Sequence, residues 1–73
     1  MDARDIRRQF RGELGEHMVR ALEQGWRIER TTNGAMLYPA DRNQGPITVH
    51  GTPSDRRALQ NTVTRMRRAG YRP

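Results

Sequence analysis

The sequence has no cysteine and no lysine, and it has one serine, one tryptophan and no long apolar run. Without cysteine, the chain has no disulfide, no thiolate nucleophile and no cysteine-based zinc site. Its apolar runs fall well short of the roughly 20 residues that span a bilayer, and its first residues do not resemble a signal peptide. These absences predict a cytoplasmic protein with no membrane partner.

The basic residues, by contrast, are numerous and of one kind. All 14 are arginine, against eight acidic residues, which gives a net charge of +6 and a pI of about 11.4. A GC-rich genome favours arginine codons and would give part of this bias. Arginine is also the better phosphate ligand, because its planar guanidinium forms bidentate contacts and stacks on bases. A single small domain with this charge favours a polyanion or an acidic protein as its partner.

The first segment has the pattern of a helix, with an apolar residue at every fourth position. The members of this stripe are Ile6, Phe10, Leu14, Met18 and Leu22. Gly12 and Gly15 each cost about 1 kcal/mol in a helix interior, so the pattern favours a helix from about Glu13 to Glu23. Residues 1–15 are then expected to be an arm or a helix extension, and residues 16–73 the domain proper.

Three strands are expected in the middle of the chain. Residues 26–30 alternate apolar and charged side chains, and Asn33-Gly34 is the strongest short hairpin signal because both positions tolerate a positive φ. Residues 35–38 form the returning strand, and residues 47–50 form the third.

A second helix closes the chain. Thr52 is its predicted cap, Pro53 suits the first helical position, and Asp55 adds negative charge to the first turn. Gly70 is the predicted stop.

The order αβββα predicts an α+β fold: a three-stranded antiparallel sheet with both helices packed on one face, because so small a sheet cannot cover two. The other face is expected to be solvated. The predicted core draws on every element: Leu14, Met18, Leu22, Trp26, Ile28, Met36 or Leu37, Ile47, Val49, Leu59, Val63 and Met66. Tyr38 and Tyr71 are expected to be exposed.

Several short features follow one another in a recognisable order. They are Gly25-Trp26 after a helix, Arg30 at the end of the first strand, Tyr38, Ile47-Thr48-Val49, and a last helix that ends in Ala69-Gly70. Over roughly residues 19–70 this order resembles the HicA toxins, which are mRNA interferases with a fold like the double-stranded-RNA-binding domain. The resemblance implies RNA as a target and an antitoxin-type protein as a partner.

The hairpin departs from that family at the catalytic residue. HicA toxins usually carry Gly-Ser-His there, whereas this chain has Asn33-Gly34-Ala35, so Ala35 stands where the resemblance places the histidine. Alanine can neither give nor take a proton, and general acid–base catalysis is commonly worth about 10²–10⁴-fold. The sequence therefore predicts a non-catalytic relative. His50, at the end of the third strand, is the one weak replacement, and a diverged interferase that uses it is an alternative.

No other pattern indicates catalysis or a cofactor. His17 lies at the edge of the first helix's apolar stripe, Ser54 lies at a helix start, and no third ligand accompanies His17 and His50 at a recognisable spacing. No glycine-rich phosphate loop follows a strand. We predict neither a metal nor a cofactor.

The predicted nucleic-acid surface lies on the last helix. With Leu59, Val63 and Met66 facing inward, the arginines fan outward on the remaining sides. The predicted contacts are Arg56, Arg57, Arg65, Arg67 and Arg68, together with Arg30. We expect nucleic acid as the partner, RNA before DNA. The alternatives are a solvated helix face, a protein-binding module with an antitoxin or host factor as partner, and a homodimer through an exposed sheet edge.

Overall fold

The computed structural model describes residues 1–50 and 56–73. The elements in chain order are α1 (Ala3–Gln9), α2 (Glu13–Glu23), β1 (Arg27–Thr31), β2 (Gly34–Tyr38), β3 (Ile47–His50) and α3 (Arg56–Arg68). The predicted α+β class is confirmed. The predicted cap Thr52 lies outside the described residues, as do Pro53, Ser54 and Asp55.

The strands form one antiparallel sheet in the order β1-β2-β3, as predicted. The predicted position of the hairpin turn is wrong, because Thr31 pairs with Gly34 and the turn is centred on residues 32 and 33. Neither turn residue has a positive φ. The observed register sets Ile28 opposite Leu37, whereas a turn centred on Asn33-Gly34 would set Ile28 opposite Pro39, which has no N–H for the ladder.

One face of the sheet is buried and the other is open to solvent. Ile28, Leu37 and Ile47 lie side by side across the three strands and are at most 5% exposed. On the opposite face, Glu29 and Thr48 are exposed and Met36 is half-buried. The strand alternation thus resolves the choice between Met36 and Leu37 in favour of Leu37.

The amino-terminal stripe is divided between two helices rather than one. Asp2 caps α1 by accepting a hydrogen bond from the backbone N–H of Asp5 at 2.9 Å, and Gly12, with φ +87°, begins α2. Ile6 and Phe10 are fully buried and are among the largest side chains in the core. Residues 1–15 therefore contribute to the same core as the sheet.

The last helix is anchored mainly at its carboxyl end. Met66, Ala69 and Tyr71 are buried, whereas Leu59 and Val63 are only partly covered. Gly70 has φ +105° and turns the chain so that the N–H of Tyr71 donates to the carbonyl of Met66 at 3.0 Å. In residues 1–50 and 56–73, no helix has the length and apolar character required to cross a membrane.

The predicted exposure of Tyr71 is wrong. This residue is 3% exposed and makes edge-to-face contacts with Trp26 and His17, at ring-centroid distances of 6.2 and 5.6 Å. The physical reason lies in the helix end: after a glycine in the left-handed conformation, an apolar residue folds back onto the helix. The side chain of Gln24 holds the next residue by accepting from the N–H of Arg72 at 2.9 Å.

Candidate nucleic-acid interface

Five arginines project from α3, and all five are exposed. They are Arg56, Arg57, Arg65, Arg67 and Arg68. The helix itself carries no acidic residue. The salt bridges within residues 1–50 and 56–73 join Arg7 to Glu16 and Arg27 to Glu29, both at 3.6 Å, and neither involves α3. The guanidinium groups of α3 are therefore held by no carboxylate of the described residues.

The helical period distributes these arginines over three sides of α3. Arg57 and Arg68 are three turns apart and lie opposite the buried Met66, so they face solvent directly. Arg56 and Arg67 share a second side, which faces α2. Arg65 lies on the other flank. The arginines of α3 therefore include two pairs, Arg57 with Arg68 and Arg56 with Arg67, and the two members of each pair are aligned along the helix axis.

A groove runs between α2 and α3 and has a volume of about 400 Å³. Its floor consists of the partly buried Leu59 and Val63. We call it the α2–α3 groove, and its described lining is Glu13, His17, Arg56, Leu59, Gln60, Val63, Thr64 and Arg67. It brings a carboxylate, an imidazole and two guanidinium groups to one concave surface.

The ring of His17 is oriented by the carboxyl-terminal segment. Its Nδ1 lies 2.6 Å from the hydroxyl of Tyr71. Burial lowers the pKa of His17 below its ordinary value of 6.5, and the charge of Arg20 adds to this effect while Glu13 opposes it. Burial also raises the pKa of Tyr71, which Arg20 opposes. The lowered pKa favours the uncharged imidazole at neutral pH, and its Nδ1 is engaged by the hydroxyl of Tyr71.

Arg30 lies apart from the α3 arginines. It is on β1, which is one edge strand of the sheet. The helix α3 packs against β3, which is the strand at the opposite edge. It pairs across the sheet with Ala35 and is exposed. Its predicted phosphate contact stays a prediction, and α3 and Arg30 do not form one continuous surface.

The position at which the predicted resemblance places the HicA histidine is closed. Ala35 is 0% exposed, pairs with Val49 of β3, and belongs to the core cluster that also contains Phe10. His50 follows Val49, so it projects from the opposite face of the sheet and is exposed. The two positions therefore do not share a site.

The open face of the sheet carries a second cationic feature. The Arg27 guanidinium carbon lies 4.5 Å from the centroid of the Tyr38 ring, in cation–π geometry. Tyr38 is half-buried rather than exposed as predicted, because this stack covers part of its ring. Glu29 also contacts Arg27, so this guanidinium is partly neutralised.

The sequence predicts the outward position of the α3 arginines, which the structure shows, but it does not predict the α2 wall of the groove. Glu13 and His17 are four residues apart, which puts them on one side of α2, but this spacing alone does not indicate which element they face. Among the described residues, no group of three histidine or acidic side chains is placed to hold a metal ion.

Comparisons of the chain with protein-family models, with curated proteins and with solved structures found no match. The resemblance to HicA toxins therefore stays a prediction that rests on the residues quoted above.

Proposed function

We propose that this protein binds nucleic acid without cleaving it, RNA in preference to DNA, through the arginines of α3. The observation that carries the proposal is the concentration of five exposed guanidinium groups on one helix of thirteen residues that has no acidic residue. Such a surface releases condensed counterions when it neutralises phosphates, and this release drives sequence-independent binding. The proposed location is the cytoplasm.

The arrangement of the outermost pair favours a phosphate backbone. Arg57 and Arg68 lie on the same side of α3, about 16 Å apart along its axis at 1.5 Å per residue. Two guanidinium groups at this separation can contact phosphates on one strand or across a groove. Domains with the fold that the resemblance implies recognise double-stranded RNA mainly by its shape and its sugar–phosphate backbone.

The absence of catalysis is proposed from the closed position at Ala35. No proton-transfer group occupies that position, and the residue is enclosed in the core. The alternative enzyme, a diverged interferase, would depend on the exposed His50. It predicts that RNA is cleaved by the wild-type protein and survives intact with His50→Ala.

An acidic protein partner is the second candidate, and one observation favours it. Beside the arginines, α3 presents the partly uncovered Leu59 and Val63, and a mixture of apolar and cationic groups suits a protein of antitoxin type. A second copy of this chain is a less favoured occupant of the sheet edge. One edge is already engaged, since the amino group of Met1 donates to the carbonyl of Ile28 on β1 at 2.7 Å.

The test is a titration of labelled duplex RNA, duplex DNA and single-stranded RNA at two salt concentrations, with the RNA examined on a gel afterwards. The double variant Arg57→Ala/Arg68→Ala should reduce the slope of log affinity against log salt by about 0.9 for each lost phosphate contact on a duplex. The matched control is Arg42→Ala, which removes an exposed arginine from the loop before β3.

The outcomes separate the candidates. A reduced slope for the double variant, an unchanged slope for Arg42→Ala and intact RNA support the proposal. A loss for Arg42→Ala that is about half the loss for the double variant would show that only the total charge removed matters, and α3 would not be the interface. No binding at low salt would refute nucleic-acid binding and leave the acidic protein as the candidate.

A further inference from the structure

The α2–α3 groove combines a small apolar floor with convergent polar groups. Leu59 and Val63 are the floor, and Gln60 and Thr64 alternate with them along α3. Its volume of about 400 Å³ lies within the range of about 300–1,000 Å³ for small-ligand sites, and its lining is more polar than is usual in such sites, which suits a polar, charged ligand. This volume is suited to a single base with its sugar.

Two cations lie along the α3 side of the groove. Arg56 and Arg67 are eleven residues apart, which puts them on the same side of α3 and about 16 Å from each other along its axis. The apolar floor lies between them in the sequence. A nucleotide on that floor would have its two flanking phosphates directed towards one arginine each.

The opposite wall repels phosphate and suits the edge of a base. Glu13 supplies a carboxylate that accepts hydrogen bonds, and His17 lies four residues further along the same wall. The imidazole is oriented through its Nδ1 by the hydroxyl of Tyr71. A carboxylate takes two parallel N–H donors at once, and the Watson–Crick edge of guanine offers such a pair in N1–H and the N2 amino group.

We propose that the α2–α3 groove binds one unpaired nucleotide of an RNA strand, with guanine preferred. The base lies on Leu59 and Val63, the flanking phosphates contact Arg56 and Arg67, and Glu13 accepts from the base edge. This site rests on the proposed function and deepens it, because it adds base recognition to phosphate binding. A Watson–Crick edge is free only in single strands, loops and bulges, so the preferred RNA contains an unpaired segment.

The experiment compares Glu13→Gln with the wild-type protein on single-stranded RNAs of about seven nucleotides, a length within the range of short single-strand sites. The RNAs are uridine tracts in which only the central nucleotide varies among the four bases. The control is Glu23→Gln, which makes the same change at an exposed position on α2 outside the groove lining. Both replaced side chains are exposed, so we expect both variants to fold.

The wild-type protein should bind the RNA with a central guanine about tenfold more tightly than the others, the discrimination expected of one bidentate contact. Glu13→Gln should lose this preference, whereas Glu23→Gln should keep it. Changing Arg56 and Arg67 to Ala should weaken the binding of all four RNAs alike. It should also reduce the slope of log affinity against log salt by about 0.7 per lost phosphate contact, the value for single strands.

Two results would overturn the site while leaving the proposed function intact: equal affinity of the wild-type protein for all four RNAs, or a guanine preference that survives in Glu13→Gln. Failure of all four RNAs to bind at low salt would also overturn this site, and the proposed function would fall with it only if duplex RNA and duplex DNA do not bind either. The two failures are distinguishable because failure of the site alone leaves measurable binding to one of these nucleic acids.

Discussion

The hydroxyl of Tyr71 lies 2.6 Å from Nδ1 of His17, a contact that joins the segment after α3 to the middle of α2. Tyr71 is 3% exposed and also packs against Trp26, so its ring is enclosed while its hydroxyl reaches the groove wall. Hydroxyl groups of buried tyrosines need such a partner. The contact therefore fixes the orientation of His17 and holds the carboxyl end of α3 against α2.

Tyr71→Phe should lower the free energy of unfolding by about 1 kcal/mol, the net value of one hydrogen bond. Tyr71→Ala should cost about 3–5 kcal/mol because it also leaves a cavity of aromatic size. Urea unfolding followed by circular dichroism measures both. The control is Tyr38→Phe, at a half-buried ring whose contact with Arg27 goes through the ring face, and it should change stability by less than about 0.5 kcal/mol. If Tyr71→Phe is as stable as the wild-type protein, the hydrogen bond contributes nothing.

The stability of the protein should fall on mild acidification because of His17. Its pKa is below the ordinary 6.5 in the folded protein, mainly through burial. The unfolded chain therefore takes up the proton first, so the contribution is complete above about pH 6.5 and declines as the pH falls towards the folded pKa. Urea midpoints measured from about pH 7.5 to 5 should show a decline that His17→Asn reduces. The control is His50→Asn, which removes the exposed imidazole and should leave the decline in place.

Gly15→Ala should destabilise the protein even though Gly15 lies within a helix. In an isolated helix, replacing glycine with alanine stabilises the helix by about 1 kcal/mol. Here, however, a Cβ at Gly15 would lie 1.8 Å from the carbonyl oxygen of Phe10, so α1 and α2 must separate. We expect a net loss of about 1–3 kcal/mol, as for overpacking of a core. Gly45→Ala, where no heavy atom lies within 4 Å of the new Cβ, should be nearly neutral in the same unfolding measurement.

Ala35→His should destabilise the protein by about 1–3 kcal/mol or more and should not confer ribonuclease activity. The position is 0% exposed, so an imidazole there would overpack the core and bury a polar ring. Thr48→His makes the same addition on the open face of the neighbouring β3 and should leave stability nearly unchanged. Thermal unfolding and an RNA cleavage gel test both variants. A stable Ala35→His protein that cleaves RNA would show that the position can open.

The periodic elements were predictable from the sequence because their patterns are local. The stripe of α2, the alternation in β1 and the glycine at residue 25, which has φ +93°, each act within a few residues. The hairpin turn was predicted one residue too late, because turn preference gave way to the pairing of Ile28 with Leu37. The break between α1 and α2 lies at Gly12, which has φ +87°, so the start of α2 also had a local signal, but no local pattern showed that α1 would pack on the same core as the sheet.

The candidate site was likewise predictable where its signal is local, and not where it depends on contacts between residues far apart in the sequence. Arginines such as Arg57 and Arg68 were predictable, because they lie on the side of a helix opposite its apolar residues. The α2–α3 groove was not, because it joins Glu13 and His17 to residues more than 35 positions further along the chain, such as Leu59. The burial of Tyr71 had a local signal in the preceding Gly70, because an apolar residue after a left-handed glycine folds back onto the helix that it ends.

The packing of Trp26 against Tyr71 also has an optical consequence. The chain has one tryptophan, which is 3% exposed, and its ring centre lies 6.2 Å from that of Tyr71. All intrinsic indole emission therefore comes from a single enclosed site where the carboxyl-terminal segment meets the end of α2. Release of that segment would let water reach the indole and shift its emission to the red, so undocking of the last residues can be followed in the unlabelled protein.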